Sequence, residues 1–470
     1  MPRIPGSLAS EAALCYHSVM KKPDFSRVCG IYLILMCSLF LLAFSPKGYL
    51  NIVETKYAVF CCLTALFLLA FLVLLIRKSI SCGYKWNLIH FLILGYWGWS
   101  LVSVVCSPWR GTAFLGGSRC DGFITITLYC GGFLLLSFYG EGVRFPLWIP
   151  AGALSLLCLV AILQLFDLNP LQLYPAGMRW SGRERDYNGA FLSLTGNADL
   201  TASVLCTGFG FLWPLGMKKG KRLFILPALL CLGVLIASGI RAGLAGAAAS
   251  VVLCLPAVLP LGRNGRRLAW AGLVLLCVCV LLLIYLVPFS GTAGELHAIL
   301  HGSAEDSFGS GRIYIWKEVC RLIKERPIFG GGPDTLGERA LAFVKTAVDG
   351  TTIRRTIDCA HCEGLNVMVN QGIPAFLLLA AAVLLTFYRA ARMGKASCIP
   401  LVSAFAAYLA ASLFGIGMPA NAAYFWLIWG MLLCKTAQLN GNSDLMRFDK
   451  CGGLRYTESM NDRVYRIKSI

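Results

Sequence analysis

The chain has 470 residues, of which 57% are hydrophobic and only 14% are charged, and its mean hydropathy is +0.70. Soluble globular proteins carry about 25% charged residues, so this composition excludes an ordinary soluble protein and indicates an integral membrane protein. The net charge of +19 then belongs to loops at a membrane surface, and we expect no nucleic-acid partner.

Apolar runs long enough to cross a bilayer, which takes about 20 residues, recur along the chain. Twelve are found, at residues 28–44, 57–76, 88–106, 122–139, 146–166, 198–216, 223–239, 242–261, 268–288, 366–388, 398–416 and 422–438. The sequence therefore predicts an all-α fold: a polytopic membrane helix bundle of about 12 transmembrane helices, with a large extracytoplasmic loop containing short helices.

Basic residues set the expected orientation, because lysine and arginine collect in cytoplasmic loops. Basic groups at 218–222 and 263–267 fall on one side, which places both termini in the cytoplasm. The predicted organisation is a cytoplasmic N-terminal tail, a bundle of spans one to nine, an extracytoplasmic catalytic loop, a bundle of spans ten to twelve and a cytoplasmic C-terminal tail, at 1–27, 28–288, 289–365, 366–438 and 439–470. No signal peptide is recognisable, and we expect the first run to stay as an anchor.

The long loop is patterned rather than featureless. Ile315, Trp316, Val319 and Ile323 share one face of a helix that the sequence predicts over 310–326. Ser310 is placed to cap its start, and Pro327 and the following glycines end it. We expect a short amphipathic helix lying against the membrane or the bundle.

Arg241 lies in a very short turn between two spans, where the outer membrane surface is expected. An ionisable residue at such a position is a functional candidate, although an arginine that snorkels to lipid headgroups is the alternative.

Arg312 lies at the start of the loop helix, where free N–H groups and a guanidinium together suit a phosphate. A solvated surface arginine is its alternative.

His361 is one of five histidines and precedes span ten, with Glu363 close by. An imidazole takes up a proton near neutral pH, as activation of a hydroxyl requires, although a polar boundary residue is the alternative.

Nearby Cys359 and Cys362 leave a disulfide or a zinc site open. Zinc needs about four ligands at defined spacing, and only His297 and His301 offer further ones. We expect no metal and no cofactor, because Asp-x-Asp and phosphate-loop motifs are both missing from the sequence.

Three other outer segments are more polar than loops require: 109–122 with Arg119 and Asp121, the stretch 183–189, and Asn197 with Asp199 at the start of span six. Ordinary loop chemistry explains the first two equally well. Asn197 and Asp199 fit that explanation less well, because they enter an apolar run. We predict that Arg119, Asp121, Asn197, Asp199 and Glu363 bind substrate.

Taken together, these segments resemble a known family. Ser310-Gly311-Arg312 with Trp316, the Pro-Ile-Phe-Gly-Gly-Gly stretch at 327–332, and Ala360-His361 running into a Gly-Ile-Pro stretch at 372–374 resemble the O-antigen ligase and polymerase superfamily. The similarity covers roughly 105–390. One departure is that many members have Asn-Pro-Asn where this chain has Asn-Ala-Asp at 197–199.

The resemblance implies a glycosyltransferase that works on the outer face of the cytoplasmic membrane without metal or nucleotide. Such enzymes move a glycan from a polyprenyl-diphosphate carrier of the undecaprenyl type onto a lipid, glycan or protein acceptor. Carried onto this chain, Arg241 and Arg312 would hold the donor diphosphate and His361 would be the catalytic base. Direct attack of a hydroxyl on the anomeric carbon would invert its configuration.

Three alternatives stay open at this point. A polysaccharide polymerase of the same superfamily differs from a ligase only in its acceptor. A secondary transporter or lipid-linked flippase suits twelve spans, but such proteins often contain internal repeats, which are not evident in this sequence. A structural or sensory membrane protein does not explain the arginines and the histidine.

Overall fold

The computed structural model describes residues 25–45, 47–48, 51–80, 86–166, 168–173, 192–340, 342–346, 352–394, 396–437, 447–448 and 454–455. Most of the two predicted tails and the polar stretch 183–189 lie outside these ranges. Helices dominate what is described, so the predicted all-α fold is confirmed. The described residues depart from an all-α fold only in the short strands of two hairpins.

The helices are α1 (Ser26–Leu35, continued by a π-helical turn Met36–Phe40), α2 (Ile52–Ile76), α3 (Leu88–Cys106), α4 (Arg110–Leu115), α5 (Phe123–Tyr139), α6 (Trp148–Leu165), α7 (Ala198–Gly216), α8 (Ile225–Ser238, after a 3-10 turn Arg222–Phe224), α9 (Arg241–Val258), α10 (Arg263–Leu286), α11 (Gly291–Leu300), α12 (Phe308–Glu325), α13 (Leu336–Arg339), α14 (Glu363–Gln371), α15 (Ile373–Met393), α16 (Ile399–Ser412) and α17 (Pro419–Ala437). The strands are β1 (Ala342–Thr346), β2 (Thr352–Thr356), β3 (Arg447–Phe448) and β4 (Leu454–Arg455), paired antiparallel as β1–β2 and β3–β4.

Each of the twelve predicted runs contains a helix. By length and composition, 7 of the described helices are able to cross a membrane: α2, α3, α6, α7, α9, α10 and α15. Shorter apolar helices occupy four more of the runs, with α1, α5, α8 and α16, and α17 occupies the last. The polytopic membrane bundle is therefore confirmed, and the count of twelve spans stays a prediction.

The bundle core has two parts with different side chains. An aromatic part joins α1, α2, α3, α5, α15 and α17 around fully buried Trp429, whose Nε1 donates to Thr386 Oγ1 at 2.7 Å. A second part joins α6, α7, α8, α9 and α16 through smaller side chains. In that part, a Cβ added to Gly246 would lie 2.5 Å from the carbonyl oxygen of Ala407. The small residues of α9 thus allow close helix packing.

Span ten differs from its predicted run of 366–388. The chain breaks at Gly372, which has a φ of +92°, and the carbonyl of Ile328 fills the space that a Cβ would need. The amide of Ile373 then donates to the carbonyl of Pro327 at 2.8 Å. The spanning helix α15 therefore begins at Ile373, and α14 belongs to the loop side.

The long loop contains the predicted short helices, α11, α12 and α13, together with the unpredicted hairpin β1–β2. The predicted helix start at Ser310 is wrong. Gly309, Ser310 and Gly311 all have positive φ, at 61°, 63° and 86°, so that Ser310 lies in a left-handed turn. Regular helical geometry begins only at Arg312.

Candidate active site

The loop folds onto the bundle through a small core of its own. α12 and α14 bury apolar side chains against the segment before His361, namely Val319, Leu322, Ile323, Leu336, Ile357, Ala360 and Val369. Trp316 Nε1 also donates to the carbonyl of Ala360 at 3.0 Å. The helix that carries Arg312 is thereby fixed to the residue next to His361.

The Pro-Ile-Phe-Gly-Gly-Gly stretch at 327–332 is fixed against the end of α3. Ser103 Oγ donates to the carbonyl of Phe329 at 2.6 Å, and Ser107 Oγ donates to that of Gly331. At Gly330, with a φ of +63°, a Cβ would collide with the carbonyl of Asn370. These glycines therefore allow close backbone approach, which is a structural reason for the motif.

His361 lies in the turn between β2 and α14 with a φ of +50°, a conformation that few non-glycine residues adopt. Its Nδ1 atom is buried without a hydrogen-bond partner. Burial first, and then the nearby charge of Arg312, lower the pKa of His361 to about 4, while Asp199 acts in the opposite direction. The imidazole is consequently neutral at pH 7 and able to accept a proton.

Arg312 follows the left-handed turn and folds back over it, so that its Nη1 donates to the carbonyl of Gly309 at 2.9 Å. Its Nε is buried and has no partner. No carboxylate of the described residues forms an ion pair with this guanidinium. Arg312 therefore keeps donors for an anion next to His361.

Arg241 starts α9 and is about half exposed, and its Nη1 contacts Glu295 Oε2 of α11 at 2.9 Å. The amide of Gly309 donates to the same carboxylate oxygen at 3.2 Å. Glu295 thus connects Arg241 to Gly309, the residue whose carbonyl accepts from Arg312.

Arg119 and Asp121 lie in the loop between α4 and α5, which contacts the His361 segment. Arg119 Nη2 forms an ion pair with Asp358 Oδ1 at 2.7 Å, and Ser118 Oγ donates to the other oxygen of Asp358 at 2.8 Å. The backbone amide of Asp121 donates to Asp334 Oδ2 at 3.1 Å. Two carboxylates therefore hold this loop against the site.

A small polar cavity, which we call the acidic cavity, lies beside the site. It has a volume of about 20 Å³, room for about one water molecule, and is lined by Arg119, Asp121, Asp334, Glu363, Asn370 and Gln371 among others. Glu363 Oε2 is buried here without a partner, and burial raises the pKa of Glu363 to about 7. Burial and the charge of Glu363 raise the pKa of Asp121 well above its usual range.

Asn197 is the N-cap of α7, and its side-chain oxygen accepts from the amides of Asp199 and Leu200 at 2.8 and 3.4 Å. The helix start is thus explained without a ligand. Asp199, in the first turn, is close enough to His361 to raise its pKa. The structure therefore brings Asp199 to the histidine and uses the oxygen of Asn197 for capping.

Cys359 and Cys362 are both free thiols, and burial raises the pKa of Cys359 to about 12, which makes its thiol unreactive. Within the described ranges, no three His, Cys, Asp or Glu side chains are grouped so that they could hold a metal ion.

Several residues of the site are not among those predicted. Asp358 lies three positions before His361, and Glu295 and Asp334 become neighbours of the arginines and of loop 116–122 only through folding. Asn370 and Gln371 are nearly fully buried, and each has a side-chain oxygen without a partner. In the sequence, the one signal that could have identified Asn370 and Gln371 is that these two polar residues interrupt an apolar run.

Comparison with known proteins gives one family and no curated match. A sequence model for the family described as O-antigen ligase matches residues 226–380, about a third of the chain. No curated protein matches the chain. The matched range contains Arg241, Arg312, His361 and Glu363, and excludes Arg119, Asp121, Asn197 and Asp199. The predicted resemblance is therefore confirmed for this part of the chain: the multi-pass membrane protein contains a region, residues 226–380, that matches the O-antigen ligase family.

Proposed function

We propose that the protein transfers a glycan from a polyprenyl-diphosphate carrier onto a hydroxyl of a lipid, glycan or protein acceptor. The ligase family match supports a ligase or glycosyltransferase-like enzyme. The observation that carries the finer proposal is the neutral, half-buried His361 with the charges of Arg312, Asp199, Arg119 and Asp358 all within electrostatic reach. A base and cationic anion ligands are thus found in one place.

In this proposal Arg312 and Arg241 hold the donor diphosphate. Arg312 has free donors, and Arg241 has an ion pair with Glu295 that is partly exposed and therefore weak. A diphosphate offers more negative charge than one carboxylate, so it competes well for Arg241. The two guanidiniums stabilise the charge that develops on the leaving polyprenyl diphosphate.

His361 acts as the general base. The acceptor oxygen attacks the anomeric carbon, its proton passes to the imidazole, and the bond from the anomeric carbon to the phosphate oxygen breaks, which inverts the configuration. A base with a pKa of about 4 is weak in the free enzyme. Donor binding neutralises Arg312 and adds negative charge, and both changes raise the pKa of His361 toward the range in which a base is most effective.

The other predicted residues have positioning roles in this proposal. Arg119, Asp121, Asp199 and Glu363 surround the histidine and the acidic cavity, where carboxyl and guanidinium groups hydrogen-bond sugar hydroxyls. Asn197 shapes the start of α7, and its amide nitrogen is left to bind substrate. A polymerase uses a growing polysaccharide as acceptor and a ligase uses another molecule. The acceptor that receives the glycan in a transfer assay distinguishes the two.

The site is proposed to face the extracytoplasmic side of the cytoplasmic membrane. α7 begins at the site and ends beside Lys218, and α17 has Lys435 in its last turn, so these basic residues lie at the opposite end of the bundle. Since lysine and arginine favour the cytoplasmic side, the site end is outside.

The test is glycan transfer by the purified full chain in detergent, from a polyprenyl-diphosphate oligosaccharide, with a chelator present. We expect His361→Ala to lose about 100-fold or more in rate, because general bases contribute about that much. Arg312→Gln should lose a similar factor. The matched controls are His301→Ala, an exposed loop histidine, and Lys324→Gln on the exposed face of α12, which should keep the full rate.

Full activity of His361→Ala would remove the base from the proposal, and activity lost in the chelator would remove the metal-independent mechanism. Absence of polyprenyl diphosphate release with every acceptor, together with flux of the lipid-linked glycan in vesicles, would favour the flippase instead.

A further inference from the structure

A large apolar cavity lies in the half of the bundle farthest from the candidate active site. Its volume is about 410 Å³, within the roughly 300–1,000 Å³ range of ligand pockets. The walls come from α1 with its π-helical turn, the segment 143–147, α6, α7, α16 and α17, and most of the side chains are apolar. None of the eight predicted site residues lines it, so the glycan-transfer site does not explain this cavity.

Three lysines, Lys218, Lys221 and Lys435, also line the cavity, and they stand at the ends of α7 and α17. Burial lowers the pKa of Lys218, and the charges of Lys221 and Lys435 act in the same direction, so both of these ammonium groups lie within electrostatic reach of Lys218. Within the described ranges, none of the three forms an ion pair with a carboxylate. The cavity therefore has a cationic end, and the carboxylate of Glu141 lies within electrostatic reach of Cys434, the neighbour of Lys435.

The depth of the cavity matches one leaflet of a bilayer. Along α17 its lining runs from Lys435 to Tyr424, about 16 Å at the rise of 1.5 Å per residue in an α-helix. Half of the hydrocarbon core of a membrane is about 15 Å thick. A molecule with a charged end at the lysines and an apolar chain of that length would fill the space.

We propose that this cavity binds one anionic phospholipid, with the phosphate on Lys218, Lys221 and Lys435 and an acyl chain between α7 and α17. The lipid comes from the leaflet opposite to the one where glycan transfer is proposed. A phosphate between the lysines removes their mutual repulsion, and the acyl chain covers apolar walls that water would otherwise wet. This proposal does not depend on the glycan-transfer proposal, because the cavity and the candidate active site share no residue.

The experiment is native mass spectrometry of the full chain in detergent, titrated with dioleoyl-phosphatidylglycerol or dioleoyl-phosphatidylcholine. We expect one phosphatidylglycerol to bind at least fivefold more tightly than phosphatidylcholine. The variant Lys218→Gln/Lys221→Gln/Lys435→Gln should lose this preference. Lys219→Gln/Arg222→Gln/Arg266→Gln, which removes three exposed or half-exposed basic residues from the same end but outside the cavity, should keep it.

A second pair of variants tests the acyl chain without a change in charge. Ile428→Trp fills the middle of the cavity and should abolish the tight site, whereas Leu282→Trp on the exposed face of α10 should not. Soluble glycerol phosphate, which has the headgroup chemistry without the chains, should not compete. Equal binding of the two lipids, an unchanged preference in the lysine variant, or full competition by glycerol phosphate would each overturn the proposal.

Discussion

Two membrane helices, α7 and α10, show opposite relations between hydropathy and burial. α10 is among the most apolar, with a hydropathy of 2.8, and none of its apolar window is buried inside the protein. α7 has the lowest hydropathy of the 7 candidate spans, 1.2, and 78% of its window is buried. α10 contacts little besides α9 and α11, whereas α7 packs against α8, α9 and α16.

The difference follows from the solvent that each helix meets. Lipid tails are as apolar as leucine side chains, so a helix that faces lipid is selected for hydropathy alone. A central helix is selected for close packing, which favours small and hydroxyl residues such as Gly208, Gly210 and Thr207 of α7. High mean hydropathy therefore marks the periphery of this bundle. α7, whose polar N-terminal residues lie at the candidate active site, is its central helix.

The largest expected effect is that of a bulky residue on the central helix. A Cβ at Gly210 would lie 2.9 Å from the carbonyl oxygen of Ser403 and 3.0 Å from Ala404 Cα, so Gly210→Leu forces α7 and α16 apart. Overpacking costs about 1–3 kcal/mol, and more where backbone is the obstacle. We expect this variant to give no monodisperse protein on size-exclusion chromatography in detergent.

Gly272→Leu on α10 is the matched control, because nothing lies within 4 Å of a Cβ at that position. It should elute and melt like the original protein. Equal behaviour of the two leucine variants would show that the burial contrast does not govern stability.

A smaller effect is expected on the pH dependence of transfer. Asp199 at the start of α7 raises the pKa of His361, so Asp199→Asn should lower that pKa. Since the histidine must be neutral to act as base, activity is lost as pH falls through its pKa, and the acid limb of the pH–rate profile should move to lower pH. Arg263→Gln at the start of α10 should leave the limb in place.

An acid limb that stays fixed in Asp199→Asn, or that moves equally in Arg263→Gln, would contradict the electrostatic contact between Asp199 and His361. Ring-proton NMR of the histidine gives the same pKa without catalysis, so a change in a rate-limiting step is separable from a change in titration.

The fold was largely predictable because apolar runs of about 20 residues have one stable form in a bilayer. Each predicted run contains a helix, and errors arose where backbone conformation departed from the helix. At Gly372 the break depends on the carbonyl of Ile328, about 45 positions away, and at Ser310 it depends on three successive left-handed residues. Neither is encoded in hydropathy.

The candidate site was predictable only in part, for a related reason. Arg241 and His361 stood out because each is ionisable at a membrane boundary, and Arg312 stood out because it lies at the start of the predicted loop helix. Glu295, the partner of Arg241, and Asp358, the partner of Arg119, are ordinary loop acids in the sequence, and only folding places them at these arginines. Asn197 was selected for its polarity, and the structure uses its oxygen as a helix cap, a local role that polarity alone does not distinguish from binding.

The smallest expected effect concerns one tryptophan on each helix. Trp213 Nε1 of α7 lies 3.2 Å from Ser250 Oγ of α9 and 3.1 Å from Ser403 Oγ of α16, so it joins three helices. Hydrogen bonds between membrane helices average about 0.6 kcal/mol, so Trp213→Phe should lower the free energy of unfolding by about 1 kcal/mol. Trp270→Phe removes the same atoms from α10, where the side chain is 37% exposed, and should cost almost nothing. Titration of both variants with sodium dodecyl sulfate measures the difference. An equal loss in the free energy of unfolding for Trp270→Phe and Trp213→Phe would mean that the indole contributes through its apolar surface alone. Hydrogen bonds would then not distinguish the central helix from the peripheral one.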